Sequence, residues 1–139
     1  MKISWVDRSL YFKGLLLLIR KDGKIHNEER TMIVHLGKLL GFEKKFCENA
    51  LKDILDNKHI IDSPPHFSEP QIARCFIRDG LRLSLADNQM HENEILWLKP
   101  VAENHGLGDT WYKDAVKAHS NKGRGDLEGS FDAECFEWK

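Results

Sequence analysis

The side chains best equipped for chemistry fall in two short clusters. Asp22, His26 and Glu29 stand in the spacing Asp-x-x-x-His-x-x-Glu, and Asp87, His91 and Glu94 repeat it. Because 87 minus 22, 91 minus 26 and 94 minus 29 all give 65, the second cluster is the first displaced by one constant offset. Four carboxylates and two imidazoles offer ligands for a divalent cation. Carboxylate oxygens alone suit calcium, magnesium or manganese, whereas recruiting the histidines favours zinc or another transition metal. The same residues are also good helix-end residues. An aspartate after a helix accepts hydrogen bonds from the amides that follow, and a glutamate at the third helical position reaches back to the N-cap amide and complements the helix dipole. On spacing alone, metal ligation and capping both stand.

Several catalytic chemistries are excluded. The stretch DGKIHNEE lacks the alternating acidic ligands and twelfth-position glutamate of an EF-hand. No glutamate is followed by histidine three residues later, so a di-iron carboxylate bundle is ruled out. His91-Glu92 is followed by Asn93, Glu94 and Ile95 rather than completing the His-Glu-x-x-His of a zinc protease. Cys47 lies among apolar neighbours and reads as a buried thiol rather than a nucleophile. The chain is expected to be no enzyme.

Helices must position these clusters. Apolar residues nearly all round from about Asp7 to Lys21 predict a central helix, ended by Asp22-Gly23. A second helix is expected over 27–40 with His26 at its N-cap, Ile33, Leu36, Gly37 and Leu40 inward and Gly41 as terminal cap. A third is expected over 43–57, burying Phe46, Ala50, Leu51, Ile54 and Leu55. After the Pro64-Pro65 connector, Ser68 opens a fourth helix, with Pro70 in its first turn and Gln71 completing a capping box. A fifth runs from about Glu92 to His105 with Pro100 inside it, and a sixth from about Thr110 to His119. Asp22, His26, Glu29 and Gly41 reappear as Asp87, His91, Glu94 and Gly106, and Ile33, Leu36 and Phe42 as Leu98, Val101 and Leu107. Hairpins 13–42 and 78–107 therefore read as an internal repeat. The expected fold is all-α: one helical bundle of about six to seven helices over 1–120. A flexible tail over 121–139 follows, in which Ser130 can cap a short helix with Phe131, Cys135 and Trp138 on one face.

A chain of 139 residues is long enough to bury one continuous core. With 21 basic and 22 acidic side chains its net charge is -1, and no global positive field draws nucleic acid or an anionic membrane. Three widely spaced cysteines suit a reducing compartment. Asp7, Arg8 and Lys13 interrupt the N-terminal apolar run, so neither an export signal nor a membrane span is expected, and the chain reads as cytoplasmic.

With its duplicated aspartate turn, the His-x-x-Glu opening of the next helix and the closing Leu-Gly-Phe or His-Gly-Leu, the stretch from Leu10 to His119 resembles the tellurite-resistance protein B (TerB-like) family. The resemblance implies a compact all-helical bundle of duplicated hairpins, associated with bacterial stress response and tellurite resistance. It implies a divalent-metal site on acidic turn residues, here Asp22, Glu29, Asp87 and Glu94, and no enzymatic activity. Asn88 in place of glycine, Pro100 and the unmatched tail depart from the family pattern. The alternative is a metal-free helical module that binds partner proteins.

Overall fold

The computed structural model describes residues 2–21, 27–57, 59–60, 63–84, 92–120 and 131–138. Among them are six helices: α1 (Trp5–Arg20), α2 (Asn27–Leu39), α3 (Lys44–Asp56), α4 (Pro70–Ser84), α5 (Glu92–Asn104) and α6 (Asp109–Ser120). The all-α bundle read from periodicity is the observed architecture. One minimal parallel pairing lies outside it, between β1 (Lys2–Ile3) and β2 (Glu137–Trp138).

The helix ends follow local chemistry. Ser4 caps α1, its hydroxyl accepting the Asp7 amide at 3.2 Å, so α1 starts two residues earlier than its apolar run suggests. Pro70 occupies the first position of α4, where its missing N–H costs nothing. Ser68 does not open α4 as expected. Its amide and hydroxyl donate to buried Asp7 at 3.1 and 2.5 Å, because a carboxylate in the interior recruits every donor within reach. Gln71 accepts from Arg74 instead. At the other end of α2, Gly41 (φ 91°) carries two reversed hydrogen bonds, Phe42 N–H to Gly37 C=O and Gly41 N–H to Lys38 C=O. Gly106 (φ 71°) ends α5 identically, with Leu107 N–H to Ala102 C=O and Gly106 N–H to Glu103 C=O.

α1 and α4 pack together at the centre, and α2 and α5 each pack on both of them. A Cβ at Gly14 would lie 2.7 Å from the Phe76 ring, so the missing side chain sets how closely α1 approaches α4. α3 covers α1 and α2. It buries Cys47, Leu51 and Ile54, but not Phe46, which is 52 % exposed and stacks on Phe42.

The C-terminal residues depart most from expectation. Asp132–Cys135 form a short 3-10 helix followed by β2, while Ser130, the expected cap, lies outside the described residues. Phe131, Ala133 and Phe136 are buried against the bundle, a spacing that belongs to a turn and strand and not to one helical face. Gly37 predicts a local test of the packing. A Cβ there would meet Cys47 Sγ at 2.2 Å, so Gly37→Ala should cost about 1–3 kcal/mol in urea unfolding. In a Cys47→Ala background part of that loss should return, a coupling of about 1 kcal/mol.

Candidate functional site

α2 and α5 carry their first-turn glutamates on the interior stripe. Glu29 lies four, seven and eight residues before Ile33, Leu36 and Gly37, all buried, and Glu94 stands likewise before Leu98, Val101 and Ala102. The helical period therefore turns both carboxylates inward. Glu29 is 1 % and Glu94 0 % exposed, with Oε2 of Glu29 and both carboxylate oxygens of Glu94 sealed from solvent. A glutamate that only caps a helix on the surface stays wet; interior carboxylates need donors or a cation beside them. Ser84, at the end of α4, buries its hydroxyl as well, and no hydrogen-bond partner for it is present among the described residues.

Of the six residues singled out by spacing, Asp22, His26, Asp87 and His91 lie outside the described residues. The two described members, Glu29 and Glu94, stand at equivalent interior positions of α2 and α5. Among the described residues no three His, Cys, Asp or Glu side chains gather at metal-ligating spacing.

A second polar centre carries no recognisable motif. Asp79, fully buried on α4, accepts four hydrogen bonds. Oδ1 takes Arg82 Nη1 at 2.8 Å and the Asp132 amide at 2.7 Å; Oδ2 takes the Tyr11 hydroxyl at 2.6 Å and the Ala133 amide at 3.1 Å. Arg82 and Arg78 in turn reach Asp132 at 2.9 and 3.3 Å. With both oxygens doubly satisfied, Asp79 has no lone pair left for a metal or a substrate proton. It fastens the C-terminal segment to α1 and α4. The only sequence signal was an aspartate on the otherwise apolar stripe of α4.

His105 and Cys47 are similarly committed. His105 Nε2 accepts the Phe67 amide at 2.8 Å, which puts the ring proton on Nδ1, 2.6 Å from the Val101 carbonyl. Both nitrogens are engaged. Cys47 is buried and burial raises its thiol pKa, so it holds no reactive thiolate. These positions offer no acid–base or nucleophile pair.

No family model, no curated protein and no solved structure matches the chain. What the chain does therefore rests on its own residues.

Burial pushes the Asp79 carboxyl up from 3.8 to about 6, against the pull of the Tyr11 hydroxyl, the Asp132 amide and the Arg82 guanidinium. In that interval the folded state holds a proton that the unfolded state has released. Stability from this group is fully present below pH 3.8, falls as pH rises towards 6 and is level above. Urea unfolding across that range should show the decline in the native chain and a shallower one in Asp79→Asn. At pH 7 the variant should lose about 1–3 kcal/mol, since one amide oxygen cannot serve four donors.

Proposed function

We propose that this chain is a non-catalytic, divalent-cation-binding domain of TerB-like character, acting in the cytoplasm in bacterial stress response or tellurite resistance. The observation that carries the proposal is the burial of Glu29 and Glu94 at matching positions of α2 and α5. In the sequence each follows a histidine by three residues and an aspartate by seven, His26 and Asp22 before Glu29, His91 and Asp87 before Glu94. A divalent cation beside them would offset part of the cost of taking these carboxylates out of water. The matching glycine caps of α2 and α5 support reading 13–42 and 78–107 as two copies of one hairpin, each carrying its own half of the metal chemistry.

A hard cation such as magnesium, calcium or manganese fits ligation by Asp22, Glu29, Asp87 and Glu94. Entry of His26 and His91 would shift the preference toward zinc. The competing reading is a metal-free helical interaction module. In that reading the buried glutamates at the starts of α2 and α5 are held by protein groups alone.

Thermal unfolding separates the two. At about 100 times its dissociation constant a cation adds roughly 2.7 kcal/mol, which for a domain of this size raises the melting temperature by roughly 5 to 10 °C. Glu29→Gln and Glu94→Gln keep an acceptor oxygen at each helix start but remove the charge. They should abolish the cation-induced rise while preserving the cap. A wild-type melting temperature indifferent to magnesium, calcium, manganese and zinc would leave the interaction module as the better account.

A further inference from the structure

Among the described residues, three of the four exposed large apolar side chains lie at the starts of α1 and α3. Trp5 and Val6, at the start of α1, are 61 % and 64 % exposed, and Phe46 at the start of α3 is 52 % exposed. They form one patch: the Trp5 and Phe42 rings meet edge to face at 5.7 Å, and Phe42 stacks on Phe46 at 5.1 Å. Exposed aromatic clusters of this kind on an otherwise well-buried domain mark a contact surface.

The charges around the patch identify what it contacts. Between Lys2 and Lys21 the only acidic residue is Asp7, which is buried and bonded to Ser4 and Ser68. Every charged group that α1 presents to solvent is therefore cationic. Val6, Leu10 and Lys13 share one ridge of α1, and Arg8 lays its guanidinium 5.2 Å over the Trp5 ring while donating to the Leu40 carbonyl. Lys44 and Lys45 flank Phe46, with exposed Glu43 and Glu48 beside them and a solvent-exposed 4.0 Å contact between Lys44 and Glu48. Lys2, Arg8, Lys13, Lys44 and Lys45 thus outweigh three acids, Glu43, Glu48 and the Glu137 that pairs with Lys2, around three protruding apolar side chains. The N-termini of α1 and α3, side by side through the Trp5–Phe42 contact, add positive dipole ends to the same face.

We propose that this face docks on the surface of an anionic lipid bilayer, with Trp5, Val6 and Phe46 entering the headgroup boundary and the basic rim meeting lipid phosphates. The side chains protrude instead of lining a groove, which suits a fluid planar partner better than a peptide. Tryptophan and lysine in this arrangement are the usual interfacial pair. The chain's overall charge of -1 does not oppose this, because surface attraction falls off within a Debye length and is set by the local face. No described helix is long and apolar enough to cross the membrane, so attachment is peripheral.

Flotation with vesicles of phosphatidylcholine alone, and with about one third phosphatidylglycerol, tests this at low and at roughly 0.5 M salt. EDTA is present throughout, so that cation bridging does not contribute. The full chain should float only with anionic vesicles and release at high salt, with a blue shift of the emission that Trp5→Phe removes. Lys44→Glu with Lys45→Glu should weaken binding at least tenfold, since each basic side chain at such a surface contributes about fivefold. Trp5→Ser with Phe46→Ser should abolish it. Failure to float with either vesicle overturns the proposal, as does binding indifferent to salt and to the charge reversals. A wild-type dimer in solution that Trp5→Ser with Phe46→Ser converts to monomer, with no vesicle binding, would assign the face to a second copy of the chain.

Discussion

The close approach of α1 to α4 is the constraint on which the rest of the fold depends. Gly14 leaves room for the Phe76 ring, and at Gly80 a Cβ would lie 3.1 Å from both Leu18 and Leu98, closer than ordinary side-chain contact. Tyr11 spans the same interface, its ring edge to face with Phe76 and its hydroxyl on Asp79. Once these two helices touch along their length, α2 and α5 have a common two-helix surface to pack on. Their apolar stripes are fixed by that surface, and so is the inward direction of Glu29 and Glu94. The chemical proposal is thus a consequence of packing: the carboxylates are interior because the register of Ile33, Leu36, Leu98 and Val101 leaves them no other direction.

Helix positions were legible because they rest on local rules. The starts of α2 and α5, and the glycine ends at Gly41 and Gly106, follow from periodicity and from the left-handed conformation that glycine adopts at low cost. The polar staples were not legible, because each joins residues far apart in the chain. Asp79 meets Tyr11, Asp132 and Ala133 across 53 to 68 positions, and Asp7 meets Ser68 across 61. The helix expected in the tail is confined to the 3-10 turn at Asp132–Cys135 for the same reason: two amides of this segment reach Asp79, and the chain beyond it pairs with Lys2–Ile3. Ser4-x-x-Asp7 is a local start signal for α1 that lies ahead of its apolar run.

The candidate site divides along the same line. Spacing selected Glu29 and Glu94 among 22 acidic residues, and among the described ones they are buried together with only Asp7 and Asp79. Phe46 shows the converse, since a residue placed inward by periodicity lies on the surface and completes the aromatic face with Trp5. The helical period says which residues share a face but not where the neighbouring helix stops covering it.

The central claim is that interior glutamates at the starts of α2 and α5 hold a divalent cation. Equilibrium dialysis of the apo-protein against manganese, read by the loss of the free-ion paramagnetic resonance signal, addresses it directly. The account predicts saturable binding of one ion per chain if the two turns share it, or two if each holds its own. Glu29→Gln should lower that stoichiometry or affinity. A free-ion signal that matches the protein-free compartment across the titration, in a protein shown to be folded, would contradict it.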